Sequence, residues 1–362
     1  MGLPGCTALH RGGAGSEKAE NPRFLPLLSA ARQFVSRRKI NESSDEMKEK
    51  DKAAAGAIDS MAPEAEGMAD AKVPKRKRRG LRVLLGILLA LLLLVLVIGA
   101  VVFFYARYTK THYEITFYQE TSTKVSQNIR LVVIADIHNR EYGDGNATLI
   151  SDIRSLDPDL ILFAGDMVLY HDDDYTAALH LVEELSALAP CYGVMGNHEN
   201  ERIYLAGDTQ LPERFEQAGL KLLRNAEEKI AIGPDTLQLI GVEGTSAGFE
   251  KYGGRKAMDE TEIDPKSYCI VMAHIPILFD GQLSDYDFDL GIAGHVHGGI
   301  VNIPHFGGLI SMEEGFFPTY CAGRYTLSRQ QSLLISRGLA DSRPIPRVNN
   351  LPELMVVDIN WC

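Results

Sequence analysis

Leu131-Val132-Val133-Ile134-Ala135-Asp136-Ile137-His138 is the stretch on which the reading of the fold turns. Its first four side chains are apolar and mostly β-branched, the pattern of a strand buried on both faces. The chain then leaves that strand on a carboxylate and an imidazole two residues apart. Four later fragments repeat the arrangement, each after an apolar run: Gly165-Asp166, Gly196-Asn197-His198-Glu199, His274, and Gly294-His295-Val296-His297. Five strands delivering oxygen or imidazole donors at their C-terminal ends predict an α/β domain with its site along that edge. A lone Asp-x-His or Gly-Asp is most often a surface turn, so the ordered series of five fragments carries the signal. Of the ten histidines, five fall in these fragments, which leaves His10, His112, His171, His180 and His305 to structure or surface.

Between the fragments the pattern alternates strand, loop and helix. Asn146 is placed to cap a helix that buries Leu149, Ile150, Ile153 and Leu156 and stops at Asp157-Pro158. A strand is expected over 159–164, then a helix over 175–188 with Ala178, Leu181, Val182 and Leu185 inward. Further strands follow at 191–195, 237–242, 268–273 and 289–293, read as one continuing mixed sheet. Gly165, Gly196 and Gly294 precede donors where the chain leaves a strand, as expected where the backbone must turn sharply or approach closely. The run Asp172-Asp173-Asp174 lacks an EF-hand pattern and reads as a solvated loop.

The 362 residues, 45% of them hydrophobic, suffice for a full core. The net charge of −11 hides an asymmetry: 17 cationic residues face 11 acidic ones through Arg82, a balance of +6, and the remainder holds 20 against 37, a balance of −17. So acidic a remainder would repel a nucleic-acid backbone, and no nucleic acid is expected as partner. The five cysteines, Cys6, Cys191, Cys269, Cys321 and Cys362, show no metal-binding spacing. Cys191 and Cys269 fall in predicted core strands.

Residues 1–71 are polar, without apolar periodicity, and read as a disordered leader in which Met61 and Met68 offer later starts. Residues 72–82 hold seven cationic side chains, and 83–105 form an uncharged stretch long enough, at about 1.5 Å per residue, to cross a hydrocarbon core of about 30 Å. A signal peptide would have a shorter apolar region and a small-residue cleavage site. Only Arg107 and Lys110 answer the basic run on the far side. The positive-inside rule therefore predicts one span of the cell membrane, a cytoplasmic N-terminus, and an extracytoplasmic domain over 112–362 tethered by about half a dozen residues. The lipid bilayer is thus an expected partner.

Two divalent cations held close together can keep a hydroxide between them and clamp both oxygens of an in-line phosphoryl displacement. The candidate ligands are Asp136, His138, Asp166, Asn197, His274, His295 and His297, a mixed set that fits Mn, Fe or Zn better than Ca or Mg. The predicted substrate is a phosphate ester, diester or monoester, of lipid or envelope origin. A metal-binding scaffold without chemistry and a nuclease are the alternatives.

This series resembles the calcineurin-like metallophosphoesterase superfamily, and more closely its bacterial membrane-anchored YkuE/YaeI type. The resemblance extends to Gly298-Gly299, Gly307-Gly308-Leu309, Ser336-Arg337-Gly338-Leu339, and Asn349, Asn350, Pro352 and Glu353. It implies a four-layer α/β/β/α sandwich, with one metal on Asp136, His138, Asp166 and His297 and another on Asp166, Asn197, His274 and His295. It also implies that the catalytic residue His198 stands beside the metals, protonating the leaving oxygen or steadying the phosphate. Glu199 is expected to orient His198 or to cap a helix, and Asn139 and Arg140 to lie near the substrate phosphate. Protein serine/threonine phosphatases of this superfamily continue Gly-Asp into Asp-Arg-Gly. Here Gly165-Asp166 runs into Met167-Val168-Leu169-Tyr170, which argues against a phosphoprotein substrate.

Overall fold

The computed structural model describes residues 75–244, 248–311, 314–328, 330–340 and 347–362; the expected leader 1–71 lies outside them. Helix α1 (Lys75–Thr109) is longer than the apolar stretch alone predicted because the basic run joins it, and from Arg78 onward it belongs to one compact unit with the rest of the chain. Large side chains from Leu81 to Phe104 are exposed on every side, and none of the apolar window is buried. By length and composition the helix is long and apolar enough to cross a membrane. Because α1 reaches Thr109, only residues 110–113 join it to strand β1 (Glu114–Ser122), a shorter tether than expected.

The chain then builds two six-stranded sheets rather than one continuing sheet. In sequence order come β2 (Ile129–Ile134), α2 (Ala147–Leu156), β3 (Leu160–Phe163), α3 (Thr176–Ser186), β4 (Cys191–Gly193), α4 (Asn197–Leu205), α5 (Leu211–Gln217) and β5 (Leu220–Leu222). With β16 (Glu353–Trp361) inserted between β1 and β2, these strands form the first sheet, ordered β1-β16-β2-β3-β4-β5. The second sheet takes β6 (Ala226–Ile232), β7 (Asp235–Val242), β8 (Tyr268–Ala273) and β9 (Leu290–Ala293), with helix α6 (Gly254–Glu260) between β7 and β8. Two short hairpins follow, β10 (Asn302–Ile303) with β11 (Gly307–Gly308) and β12 (Ile310–Ser311) with β13 (Gly315–Phe316). The sheet closes with β14 (Gly323–Thr326) and β15 (Ser332–Ile335), in the order β14-β15-β9-β8-β7-β6.

Strand alternation explains the layers. Leu131 and Val133 face the second sheet, packing in one cluster with Leu160, Leu162, Ile270, Met272, Leu290 and Ile292. Val132 and Ile134 point the other way, onto Leu149, Ile153, Leu181, Val182 and Leu185 of α2 and α3. The outer face of the second sheet, Val271 and Leu333 among it, is covered by Phe249, Met258, Phe279 and Phe288. The result is the α/β/β/α order that the resemblance implied. Residues expected to face inward on the two predicted helices are all buried.

One local expectation fails. Asn146 adopts a left-handed conformation and caps nothing through its side chain, whose Oδ1 instead accepts from Tyr142 N at 3.0 Å. Cys191 and Cys269 are buried and unpaired, as expected, but so is Cys321, and Cys362 is free as well. Leu131 is wholly buried between the sheets. Leu131→Ala should therefore lower unfolding free energy by about 2–5 kcal/mol in chemical denaturation, since the packed layers cannot collapse onto the void.

Candidate metal centre

Parallel pairing of β2, β3 and β4 in one sheet, and of β7, β8 and β9 in the other, points the C-terminal ends of both sets at one edge. All seven predicted donors leave the sheets there. Backbone geometry marks the place: Asp136, His138, Asp166, His295 and His297 all have positive φ, between 46° and 74°. Non-glycine residues seldom adopt that region, and strain of this kind, of order 1–3 kcal/mol per residue, persists where surrounding structure imposes it. Space is as constrained as torsion. Gly165 has φ +91°, and a Cβ there would stand 2.6 Å from His274 Nδ1; one on Gly294 would stand 2.6 Å from Asp136 Oδ2.

The donors fall into overlapping groups. Asp136, His138 and His297 form one, Asp166, His274 and His295 a second, and His138, Asp166 and His198 a third; within each, one ligand atom per residue lies within 4.8 Å of the others. Asp166 links two of them, with Oδ2 3.2 Å from His274 Nε2 and 3.9 Å from His198 Nε2. Asp136 Oδ1 lies 3.7 Å from His297 Nε2. Asn197 Oδ1 lies 2.9 Å from His295 Nδ1, a hydrogen-bond length that two ligands at about 2.0–2.2 Å from one ion also adopt.

Hydrogen bonds aim the rings. His274 Nδ1 donates to Ala164 O at 2.7 Å and His297 Nδ1 to Ala340 O at 2.9 Å, leaving each Nε2 to face the carboxylates. Such backbone partners fix tautomer and orientation in metal-ligating histidines. His138 Nε2 is buried with no hydrogen-bond partner among the described residues. A buried unpaired nitrogen costs about 1–3 kcal/mol, and a cation would relieve it. This orphan atom and the mixed N,O donor set fit divalent transition ions.

Burial sets the protonation. It lowers His138 to about 3 and His295 to about 4, so both are neutral lone-pair donors near pH 7. It raises Asp136 to about 7. Burial would also raise Asp166 and lower His274, but their mutual attraction wins: Asp166 falls well below the carboxylate range and His274 rises to about 10.

His198 sits closer to the donors than a bystander would, edge-on to His138 at 4.9 Å between ring centroids. Its Nδ1 accepts from Tyr170 N at 3.3 Å, which puts the proton of the neutral ring on Nε2, the atom facing Asp166. Glu199 does not touch His198 through any hydrogen bond. Its carboxylate accepts from Gly196 N, Asp166 N and Val168 N at 2.7–2.9 Å, capping α4 and clamping the Asp166 loop. Asn139 is likewise committed to backbone, donating to Asp174 O and accepting from Ala178 N, so it holds the start of α3. Arg140 Nη1 is buried near the site with no hydrogen-bond partner among the described residues.

The wholly buried Arg347 was invisible in the sequence. It donates to Ala340 O at 2.6 Å, the carbonyl that also receives His297 Nδ1, while Asn350 Nδ2 donates to His297 O at 2.7 Å. A cation inside a polar tail carries no motif that would have marked it. A cavity of about 190 Å³ opens beside the donors, lined by Asn197, Tyr204, Leu205, Glu243, Tyr252 and His274.

Residues 129–299 match the calcineurin-like phosphoesterase family. Metallophosphoesterase YkuE of Bacillus subtilis (strain 168) is 25% identical over 263 residues, covering 70% of this chain and 87% of that protein. Phosphodiesterase YaeI of Escherichia coli (strain K12) is 28% identical over 245 residues, covering 64% and 82%. UDP-2,3-diacylglucosamine pyrophosphatase LpxG of Chlamydia trachomatis (serovar D) is 24% identical over 278 residues, covering 63% and 83%.

If a divalent ion takes His274 and Asp136 as ligands, its uptake displaces a proton from His274, held at about 10, and part of one from Asp136 at about 7. Each proton released makes apparent affinity rise with pH across roughly pH 7–10. Titration calorimetry with Mn at pH 7.5 should therefore give enthalpies that change with the ionisation enthalpy of the buffer, reporting about one proton or more released.

Proposed function

We infer from one premise, that residues 129–299 match the calcineurin-like phosphoesterase family, that this protein is a membrane-anchored hydrolase of phosphodiester or phosphomonoester bonds. The observation that carries the reading is the convergence of two carboxylates, one amide and five imidazoles at one edge of two sheets. Asp136, His138, Asp166 and His297 are proposed to hold one divalent ion, and Asp166, Asn197, His274 and His295 the other. Bound there, the ions would supply Lewis acidity to the phosphoryl group and a water of lowered pKa as nucleophile.

The chain's own residues account for the rest. His198 presents a proton on Nε2 toward Asp166, and in this reading gives it to the leaving oxygen. Arg140 brings a permanent positive charge to the substrate phosphate. Glu199 keeps the Asp166 loop in register, and Arg347 with Asn350 holds His297. Helix α1, long and apolar enough to cross a membrane, is proposed as a single-pass anchor with residues 72–82 on the cytoplasmic side. Lipid or envelope components are the proposed substrates; LpxG, one of the relatives, is itself named for an acylated sugar nucleotide.

Two substitutions test this. General-acid assistance is worth about 10²–10⁴-fold, so His198→Ala should lose that factor in kcat/KM on an alkyl phosphodiester and far less on a p-nitrophenyl diester, whose phenolate departs unprotonated. Asp166→Asn should abolish turnover of both. Equal losses on the two substrates for His198→Ala would remove it as the acid, and full turnover by metal-stripped wild type would end the hydrolase reading.

A further inference from the structure

We propose that the donor edge of the domain faces the bilayer crossed by α1, with Phe306, Phe316 and Phe317 resting in the lipid interface beside it. The proposal rests on the reading of α1 as an anchor. It deepens the substrate assignment to phosphate esters presented at a membrane surface.

The joint between helix and domain carries the argument. Strand β1 runs parallel to β16 from the pair Glu114↔Glu353, and β16 runs antiparallel to β2 through Met355↔Val133. Continuing that register sets Glu353 opposite Ala135. The first residue of β1 thus stands two strands, about 10 Å, from the neighbour of Asp136. Side chains tie the joint to the same place. Tyr113 donates to Asp152 at 2.6 Å and meets Tyr142 edge-on at 4.7 Å. Tyr142 donates to Leu339 O, and Leu339 N donates to Ala135 O at 3.0 Å. Arg337 reaches Glu114 at 3.0 Å, and its neighbour Gly338 packs so tightly on Asp136 that a Cβ there would stand 2.6 Å from the Asp136 Cβ.

Chain length keeps this edge near the lipid. Four residue steps from Thr109 to Tyr113 span at most about 14 Å, and the helix beyond Tyr105 adds about 6 Å. The joint therefore lies within about 20 Å of the end of the apolar stretch, a limit set by chain geometry alone. The far edge lies at the other end of β16, where Ile359 pairs with Ile129 and Trp361 follows.

The donor edge also bears the apolar surface. Beyond His297 the chain passes through Gly298-Gly299 into the two hairpins, joined by Leu309 N to Val301 O at 2.7 Å and Phe317 N to Leu309 O at 2.8 Å. Phe306, Phe316 and Phe317 are 78%, 71% and 63% exposed. Single exposed apolar residues are ordinary, whereas three exposed phenylalanines on two hairpins joined by backbone hydrogen bonds mark an interaction surface, and aromatic rings favour the membrane interface. The segment after Arg82 carries −17, so attraction to anionic head groups cannot hold it there. Tether and aromatic contact can.

Trp361, the only tryptophan, provides an internal control at the far edge. The full chain is reconstituted in phosphatidylcholine liposomes with and without brominated acyl chains, and flotation is checked first. In a Trp361→Phe background, Phe316→Trp and separately Phe306→Trp should be quenched by bromolipid at least about twofold, while Trp361 in the unmodified chain keeps its emission. Unchanged turnover of a soluble aryl phosphodiester reports that the variants are folded. Failure to float with the liposomes removes the anchor reading itself. Flotation without quenching at 316 and 306, or quenching of Trp361 to the same extent, overturns the orientation while leaving the anchor standing. A blue shift that grows with protein concentration in detergent identifies a second copy as the occupant and overturns the lipid assignment.

Discussion

Three carboxylates, Asp136, Asp166 and Glu199, are buried within one small volume at the meeting edge of two sheets, and the rest of the structure answers that burial. An isolated carboxylate in such surroundings costs several kcal/mol. Glu199 meets the demand with three backbone N–H groups, at the price of tying Gly196, Asp166 and Val168 into one rigid turn. Asp136 receives His295 N on both oxygens at 3.0 Å, and burial still raises it to about 7. Asp166 keeps its charge through His274. Neutral imidazoles fill the remaining space, so the cluster holds donors in excess of the cations the chain itself supplies. The positive φ of five donors belongs to the same account, because two packed sheets fix the strand ends and leave the donor loops no relaxed alternative.

The sequence disclosed much of this because strands buried on both faces are hard to disguise. Leu131 to Ile134 sends alternate residues to the inter-sheet core and to the helices, and either face alone would have demanded apolar residues. Each donor fragment follows such a strand, so its place at the edge was legible. The division into two sheets was not: nothing local distinguishes β7 and β8, which pair across the second sheet, from a continuation of the first. Side-chain partners were also hidden. Asn146, Asn139 and Glu199 are all residue types that cap helices, yet Asn146 caps nothing through its side chain while Asn139 holds a helix 39 positions away in sequence. Arg347 acts through a carbonyl shared with His297, a relation that exists only after the tail has folded back over the site.

Charge distribution connects centre and surroundings. An acidic domain would hold off an anionic phosphate ester as readily as a nucleic acid, so recruitment to this centre depends on charge inside the cleft. The cavity lined by Tyr204, Leu205 and Tyr252 also borders Asn197 and His274, so apolar and donor side chains share one space.

Anomalous diffraction from crystals of the manganese-loaded protein tests the central claim most directly. The account predicts two manganese peaks, one enclosed by Asp136, His138 and His297 and the other by Asp166, His274 and His295, with Asp166 reaching both. A folded protein whose crystals show no manganese peak among these side chains would contradict it.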